Sequence, residues 1–563
     1  MSVQRRHDLI CGFAVVLIWL AVSIPRLNGP IDLRWDASTY YVLGTALAEG
    51  KGYRLLNEPG EIEAVQYPPL LPLIVAAHQW VIGNSNYFEV GSRLRFSYFV
   101  ISGLYLVTVY ALARELLAPL YALLVGAITA LSFTFLHFSD TLYAELPFAL
   151  ASTLFLLCHR RSDRMLYALL TGLLGVAAYM LRIAGLALLV SWVAESLIRR
   201  RFHQAVIRAA VSAIPALLWH AYVWRVTGSD EYHQPIYAYQ RAPYYYSNVT
   251  YRENSSLVDP FCPELGRTAS RDLAGRIVRN LSAIPLGLGQ SAWAGEVFGP
   301  TLLNELHRKF GVPLEARWRR LSSRALHHCL VAFGLLAMAG AVLVATGREW
   351  FLALYFGLTV GMVALTWQTQ FWRYLTPLAP LTLVFLVLAL LAVRRWLASR
   401  SVTWRRTAGA LVMTVPLAGI MLVQVSVAIY LLRGLYPVTY YDAAGQEQSL
   451  RLHLYGPSWH SLDRVFEWVR QHATDGAVVA TTVPHLAYLR TRHKAVLPPL
   501  ERDTETAGRL LDEVPVSYLV LDELGIPPIS TGYAAPIIAQ RPENWRLVYA
   551  APGGGTKVYE RVR

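Results

Sequence analysis

Apolar residues in this chain fall mostly in long unbroken runs, not in the short alternations of a soluble fold. A helix needs about 20 predominantly apolar residues to cross the hydrocarbon core of a bilayer. By that measure about eleven stretches are predicted to span a membrane. They lie at 8–25, 94–113, 119–138, 142–159, 165–181, 183–198, 205–226, 327–346, 350–367, 374–393 and 408–432. Three long segments interrupt them. The first, about 26–93, carries a surface helix with Tyr40, Leu43 and Leu47 on one face, ended by Gly50 and Gly52. The second, about 228–324, opens with Tyr232, Tyr237, Tyr239, Tyr244, Tyr245, Tyr246 and Tyr251. The third begins near Arg433 and changes period. An amphipathic helix at 461–472, a buried strand at 477–482, a helix at 503–514 and a strand at 516–521 predict a small α/β layer domain. The chain thus divides into a membrane part, 1–433, and a C-terminal α/β domain, 434–563. Gly553-Gly554-Gly555 separates two strand-like runs and predicts a hairpin turn, since it lacks the strand–loop–helix setting of a phosphate loop.

Composition agrees: 55% of residues are hydrophobic and 16% charged, which excludes an ordinary soluble protein. The net charge of +14 would suit nucleic acid, but its distribution points to lipid. Arg5 and Arg6, Arg160 and Arg161, Arg199 to Arg201, Arg394 and Arg395 fall at alternate ends of the predicted spans. This positive-inside bias puts the N-terminus in the cytoplasm, and the three long segments and the C-terminus outside. The first apolar stretch has no small-residue cleavage site after it and reads as a retained anchor. Cys11, Cys158 and Cys329 lie in spans and Cys262 stands alone in a loop, with no metal-type spacing.

Candidate chemistry gathers at one end of the spans. Asp36, in Arg34-Trp35-Asp36-Ala37-Ser38-Thr39-Tyr40, lies just beyond the first span; it reads as a site carboxylate or as the cap of the helix that follows. Asp140 and Glu145 sit where the third span gives way to the fourth, a costly depth for carboxylates unless they line a polar site or pair with arginine. Arg182 and Arg373 mark the face where the charge bias disfavours arginine. Their guanidinium forks suit the phosphate of a lipid, or an ion pair with Asp140 or Glu145. Lys51 is a third candidate phosphate contact, with a solvated loop lysine as the alternative. The dense tyrosines after Gly228 suggest stacking on sugar rings, beside the ordinary aromatic belt of a membrane interface. Asp36 and Asp140 could share a divalent cation through oxygen ligands; no metal ligand set is otherwise assigned.

In their order and placement these pieces resemble the GT-C superfamily of integral-membrane glycosyltransferases, which includes protein O-mannosyltransferases and lipid A aminoarabinose transferases. The matching motifs are Asp36 with Tyr40, Gly50-Lys51-Gly52-Tyr53, Tyr67-Pro68-Pro69-Leu70, the acidic turn Asp140 to Glu145, Arg182-Ile183-Ala184-Gly185 and Arg373-Tyr374-Leu375-Thr376-Pro377. The resemblance implies a polytopic α-helical fold with an appended extracytoplasmic domain, in a bacterial inner membrane. It implies a polyprenyl-phosphate sugar donor, an extracytoplasmic glycan, lipid or protein acceptor, and inversion at the anomeric centre. Asp36 would be the catalytic carboxylate, with Asp140 orienting the acceptor or the sugar. Arg182, Arg373 and Lys51 would hold the donor phosphate. Tyr40, Tyr53, Tyr67, Glu145 and Tyr374 would contact substrate. The chain departs from the family twice: Asp36 has no adjacent glutamate, and Gln66-Tyr67 stands before Pro68-Pro69 where aminoarabinose transferases tend to carry lysine. A transporter of lipid-linked sugars is the rival expectation; it would need polar groups near mid-membrane and paired broken helices. A membrane scaffold would leave Asp36, Asp140, Arg182 and Arg373 without a shared purpose.

Overall fold

The computed structural model describes residues 3–293, 316–347, 349–366, 371–399, 403–441, 446–525, 528–553 and 555–562. Each of the eleven predicted stretches contains helix, but they differ in reach. Among the described residues, six helices are long and apolar enough to cross a membrane: Gln4–Arg26, Tyr87–Leu116, Phe202–Thr227, Ser323–Ala345, Phe371–Ala398 and Thr407–Arg433. A seventh span arises if Pro119–Leu131 and Phe133–Asp140 count as one, bent by 54°. Ser132 makes that bend: it ends the first helix and its hydroxyl accepts from the Phe135 amide to cap the second. Glu145–His159, Met165–Leu181, Ile183–Ile198 and Trp350–Ala364 are shorter apolar helices, so the expectation of eleven full spans is reduced to six or seven. The protein is an integral membrane protein.

Glycines let the helices close on one another. A Cβ at Gly334 would strike the Pro285 backbone, and one at Gly340 the Phe385 backbone. Helix Ala316–Ala345 is thereby packed between Ser270–Ala292 and Ala379–Ala398. Ser270–Ala292 lies inside the second long segment, where the apolar pattern had predicted no helix; its polar first half dilutes the signal.

In the first long segment, helix Asp36–Ala48 forms where the surface helix was expected and is followed by Gly50 and Gly52, both at positive φ, but it is no surface helix: every residue from Ala37 to Ala46 is buried. It packs on Leu70–Ile82, with Gly44 leaving room for Val75. The C-terminal domain begins with a two-stranded antiparallel ribbon, β1 (Leu435–Tyr441) and β2 (Glu447–His453). A mixed sheet follows from β3 (Val478–Ala480), β4 (Lys494–Val496), β5 (Val516–Leu521), β6 (Trp545–Ala550) and β7 (Lys557–Arg561), in the order β4-β3-β5-β7-β6. β3 runs parallel to β4 and β5, while β7 is antiparallel to β5 and β6. The glycine-rich run does join an antiparallel pair, although Gly554 itself lies outside the described residues.

The C-terminal domain sits directly on the first segment. The Ala495 amide of β4 donates to the Asn57 carbonyl at 2.7 Å, and Asn57 Nδ2 returns a bond to the Ala495 carbonyl at 3.1 Å. Lys494 Nζ reaches the Leu56 carbonyl at 2.7 Å and Glu61 at 2.8 Å. Four of the dense tyrosines, Tyr237, Tyr239, Tyr244 and Tyr245, pack into this junction, while Tyr232 packs with Val65 and Val226. Tyr232, Tyr237, Tyr239 and Tyr245 are buried; Tyr237 donates to Glu58 at 2.6 Å, and Tyr245 donates to Glu58 while accepting from the Leu497 amide at 2.8 Å.

Candidate active site

Four elements bring their ends together around one ion-pair cluster. Asp36 opens helix Asp36–Ala48, and Glu145 opens helix Glu145–His159. Arg182 is the extended residue after helix Met165–Leu181, and Arg373 lies in the short turn Phe371–Leu375. Arg373 Nη2 donates to Asp36 Oδ2 at 2.7 Å, and its Nε donates to Glu145 Oε1 at 2.5 Å. The same Glu145 oxygen pairs with Arg182 Nη1. Asp36 is not the cap of its helix: Trp35 holds that position and no side chain caps it, because the carboxylate turns to Arg373.

Burial grades the cluster. The Glu145 side chain is 0% exposed, the two arginines 16% each and Asp36 26%, so Asp36 faces the open side and Glu145 the closed one. Two carboxylates balance two guanidiniums, and an unpaired charge at this depth would be costly. Aromatic rings wall the cluster. Arg373 lies 4.4 Å over the Tyr143 ring and Arg182 5.5 Å from that of Tyr374. Tyr40 packs against Tyr67 at 4.8 Å, and Tyr67 against Tyr246 at 6.1 Å. Burial pushes the Tyr40 and Tyr67 phenols well above their ordinary range, so both stay protonated and able to donate. Among the described residues, Tyr67 Oη, Gln66 Oε1 and Glu145 Oε2 are buried without a hydrogen-bond partner. A ligand would find these groups unsatisfied.

Other predicted site residues lie elsewhere. Asp140 is buried between Arg26 at 2.7 Å and Arg95 at 3.3 Å, with Arg26 also donating to the Leu136 carbonyl at 2.8 Å. It ties the first helix to the bent span. Among the described residues no group of three or more His, Cys, Asp or Glu side chains is placed to hold a metal ion. Lys51 pairs with Glu49 at 3.1 Å and Glu61 at 3.5 Å on the surface, away from the cluster. Tyr53 stands one layer back, donating to the Tyr67 carbonyl at 2.9 Å and packing on Trp219 and Tyr222. Sequence reasoning missed Tyr143 and Tyr246; Tyr143 stands within the acidic turn itself, while nothing marked Tyr246 off from its tyrosine-rich neighbours.

No protein-family model matches the chain, and no curated protein matches it in sequence. Solved structures do share its fold. An archaeal oligosaccharyltransferase, AglB from Archaeoglobus fulgidus in complex with an inhibitory peptide and a dolichol-phosphate, aligns with a TM-score of 0.52 and 13% identity over 100% of this chain and 75% of that one. ArnT from Cupriavidus metallidurans in the apo state aligns with a TM-score of 0.51 and 10% identity, over 100% and 99% of the two chains. ArnT bound to undecaprenyl phosphate gives a TM-score of 0.50 and 9% identity, covering 98% of each. The chain therefore has the GT-C fold that its motifs led us to expect.

Proposed function

We propose that this protein is a membrane glycosyltransferase that moves a sugar from a polyprenyl-phosphate donor to an extracytoplasmic acceptor, with inversion. A fold alone does not fix an activity, so the reading rests on the site. The observation that carries it is the single guanidinium of Arg373, bonded at once to the open-sided Asp36 and the sealed Glu145. A phosphate-binding fork and a solvent-facing carboxylate are thereby held one ion pair apart. The dolichol-phosphate and undecaprenyl phosphate bound by AglB and ArnT support the donor class.

In this reading the donor phosphate takes hydrogen bonds from Arg373 and Arg182, whose charge Glu145 balances from below. The acceptor hydroxyl attacks the anomeric carbon as the bond from that carbon to the phosphate oxygen breaks. Its proton passes to Asp36, and the bonding electron pair leaves with the lipid phosphate. The arginines, fixed before the reaction, meet the charge that grows on the leaving oxygen. Inversion follows from one displacement with the base on the acceptor side. Residues 1–433 form the catalytic part, and 434–563 an extracytoplasmic domain, in a membrane whose cytoplasmic face holds the N-terminus.

Mass spectrometry of products tests this, using purified protein, a panel of polyprenyl-phosphate sugars and cell-envelope extract. The expected result is free polyprenyl phosphate plus a glycosylated product, with both reduced by about 10²–10⁴-fold in Asp36→Asn. Full activity in that variant would remove Asp36 as the base. Folded wild-type protein that binds donor and releases nothing across the panel would favour transport.

A further inference from the structure

Trp35, the residue before Asp36, has φ +57° and ψ −133°, a backbone region that suits glycine and is an outlier for a bulky side chain. Such a conformation persists only where its surroundings over-determine it. On one side Asp32 does so, accepting from the Arg34 amide at 3.0 Å and from Arg34 Nε at 2.8 Å. Asp32 is itself anchored, its amide donating to the Asp140 carbonyl at 2.9 Å. On the other side stands the C-terminal domain. Arg34 Nη1 donates to the Leu454 carbonyl at 2.8 Å, and the guanidinium packs over Tyr455 at 4.9 Å and Trp459 at 5.4 Å. The Trp35 ring meets Trp459 edge-on at 5.3 Å. Leu454 also has positive φ, +55°, so two of the five such non-glycine residues among those described sit on opposite sides of one contact.

Simple adhesion between domains does not account for this. Trp35 remains 36% exposed, so the contact leaves part of its ring in solvent. What the strained turn does determine is where the next residue begins its helix, and that residue is Asp36, 2.7 Å from Arg373.

We propose that the C-terminal domain is a positioning element for the transfer reaction: through Leu454 and Trp459 it holds Arg34 and Trp35 in the turn that presents Asp36 to Arg373. The proposal rests on the reading of Asp36 as the acceptor base. Arg34 and Trp459 act through Asp36 and are positioning residues. Groups around Asp36 from the packed elements are Arg373, Tyr40, Tyr67, Tyr143, Tyr246 and Tyr374.

The test uses the full chain with Trp459→Ala, Trp459→Phe and Arg34→Lys. In Trp459→Ala, kcat should fall between about 10- and 100-fold with donor KM changed less than about twofold, the loss expected when a base is displaced by about an ångström. Trp459→Phe should restore most of the rate and Arg34→Lys less of it, because the ring edge can be replaced and the fork cannot. Amide exchange at residues 35–38 should quicken in Trp459→Ala whether or not a substrate is known. Unchanged exchange there overturns the proposal. So does a variant with a lower melting temperature but wild-type kcat and donor KM per folded molecule. A wild type inactive on every donor would fail the function reading instead, and exchange would still decide whether the domain holds the turn. If Trp459→Ala does not fold, the same readouts on Arg34→Lys decide it.

Discussion

Replacing Glu145 by Gln removes one charge from a side chain with no solvent exposure and barely alters its volume. Arg373 would keep Asp36 as a partner, but the one ion pair that Arg182 makes among the described residues is with Glu145. The substitution therefore strands a guanidinium that is 16% exposed, leaving it beside the Tyr374 ring 5.5 Å away, the Tyr40 phenol and the like charge of Arg373. Breaking a buried pair by removing one partner costs about 3–5 kcal/mol. That is a large share of the roughly 5–15 kcal/mol that holds a folded protein together. Unfolding in mixed micelles, followed by tryptophan fluorescence, would read the loss. Glu145→Gln combined with Arg182→Met removes both charges and should recover more than half of it, giving a coupling energy of about 2 kcal/mol or more. If the single variant lies within about 1 kcal/mol of wild type, or the double is no better than the single, Glu145 is not the counterion the geometry makes it.

Three further outcomes follow from named contacts. Arg373→Lys keeps the charge but cannot donate to Asp36 and Glu145 together, so turnover should drop about 10²-fold, measured as polyprenyl phosphate released at saturating donor. Glu58 is buried, and burial raises its pKa despite hydrogen bonds from Tyr237, Tyr245 and Gln240. The folded state thus holds this proton more tightly than the unfolded one. Stability from Glu58 is full below the unfolded value near 4.3 and is lost as pH rises through the folded one; chemical denaturation across pH should show that slope, and Glu58→Gln should flatten it. His485 behaves oppositely, because burial lowers its pKa to about 3. Acidification from about pH 6.5 towards 3 should cost stability of the order of 5 kcal/mol, and His485→Phe should remove that part of the acid sensitivity in a melting series.

Much of this architecture was legible because it depends on local composition. Apolar runs place helices, and glycines after Ala48 end one, so the spans and helix Asp36–Ala48 could be read directly. Span length could not, since Glu145–His159 and Trp350–Ala364 are as apolar as their neighbours yet shorter. Nor could the bend at Ser132, which rests on one hydroxyl choosing a cap. Arginine and carboxylate pairs were foreseeable as a class, because charge at membrane depth requires a partner. Their pairing was not: Arg373 meets Glu145 across 228 positions, and Arg26 meets Asp140. That choice separates Asp140 from the cluster, and no spacing rule encodes it. The seven-residue strands of the ribbon β1–β2 and the three-residue β4 escaped for the same reason, since pairing defines them more than propensity.

The reciprocal bonds between Asn57 and Ala495 join residues 438 positions apart. At 5–20 residues per second, a ribosome needs roughly 20–90 s to travel between them. For that interval the nascent first loop carries Asn57 without the strand whose Ala495 later pairs with it. The same wait applies to Arg34, whose partner at Leu454 is 420 residues downstream. A chain released early would carry every group of the ion-pair cluster, complete in its chemistry and unfinished in its shape. Competence would arrive with the last stretch of translation, which acts as a built-in timer on when the newborn protein can begin work.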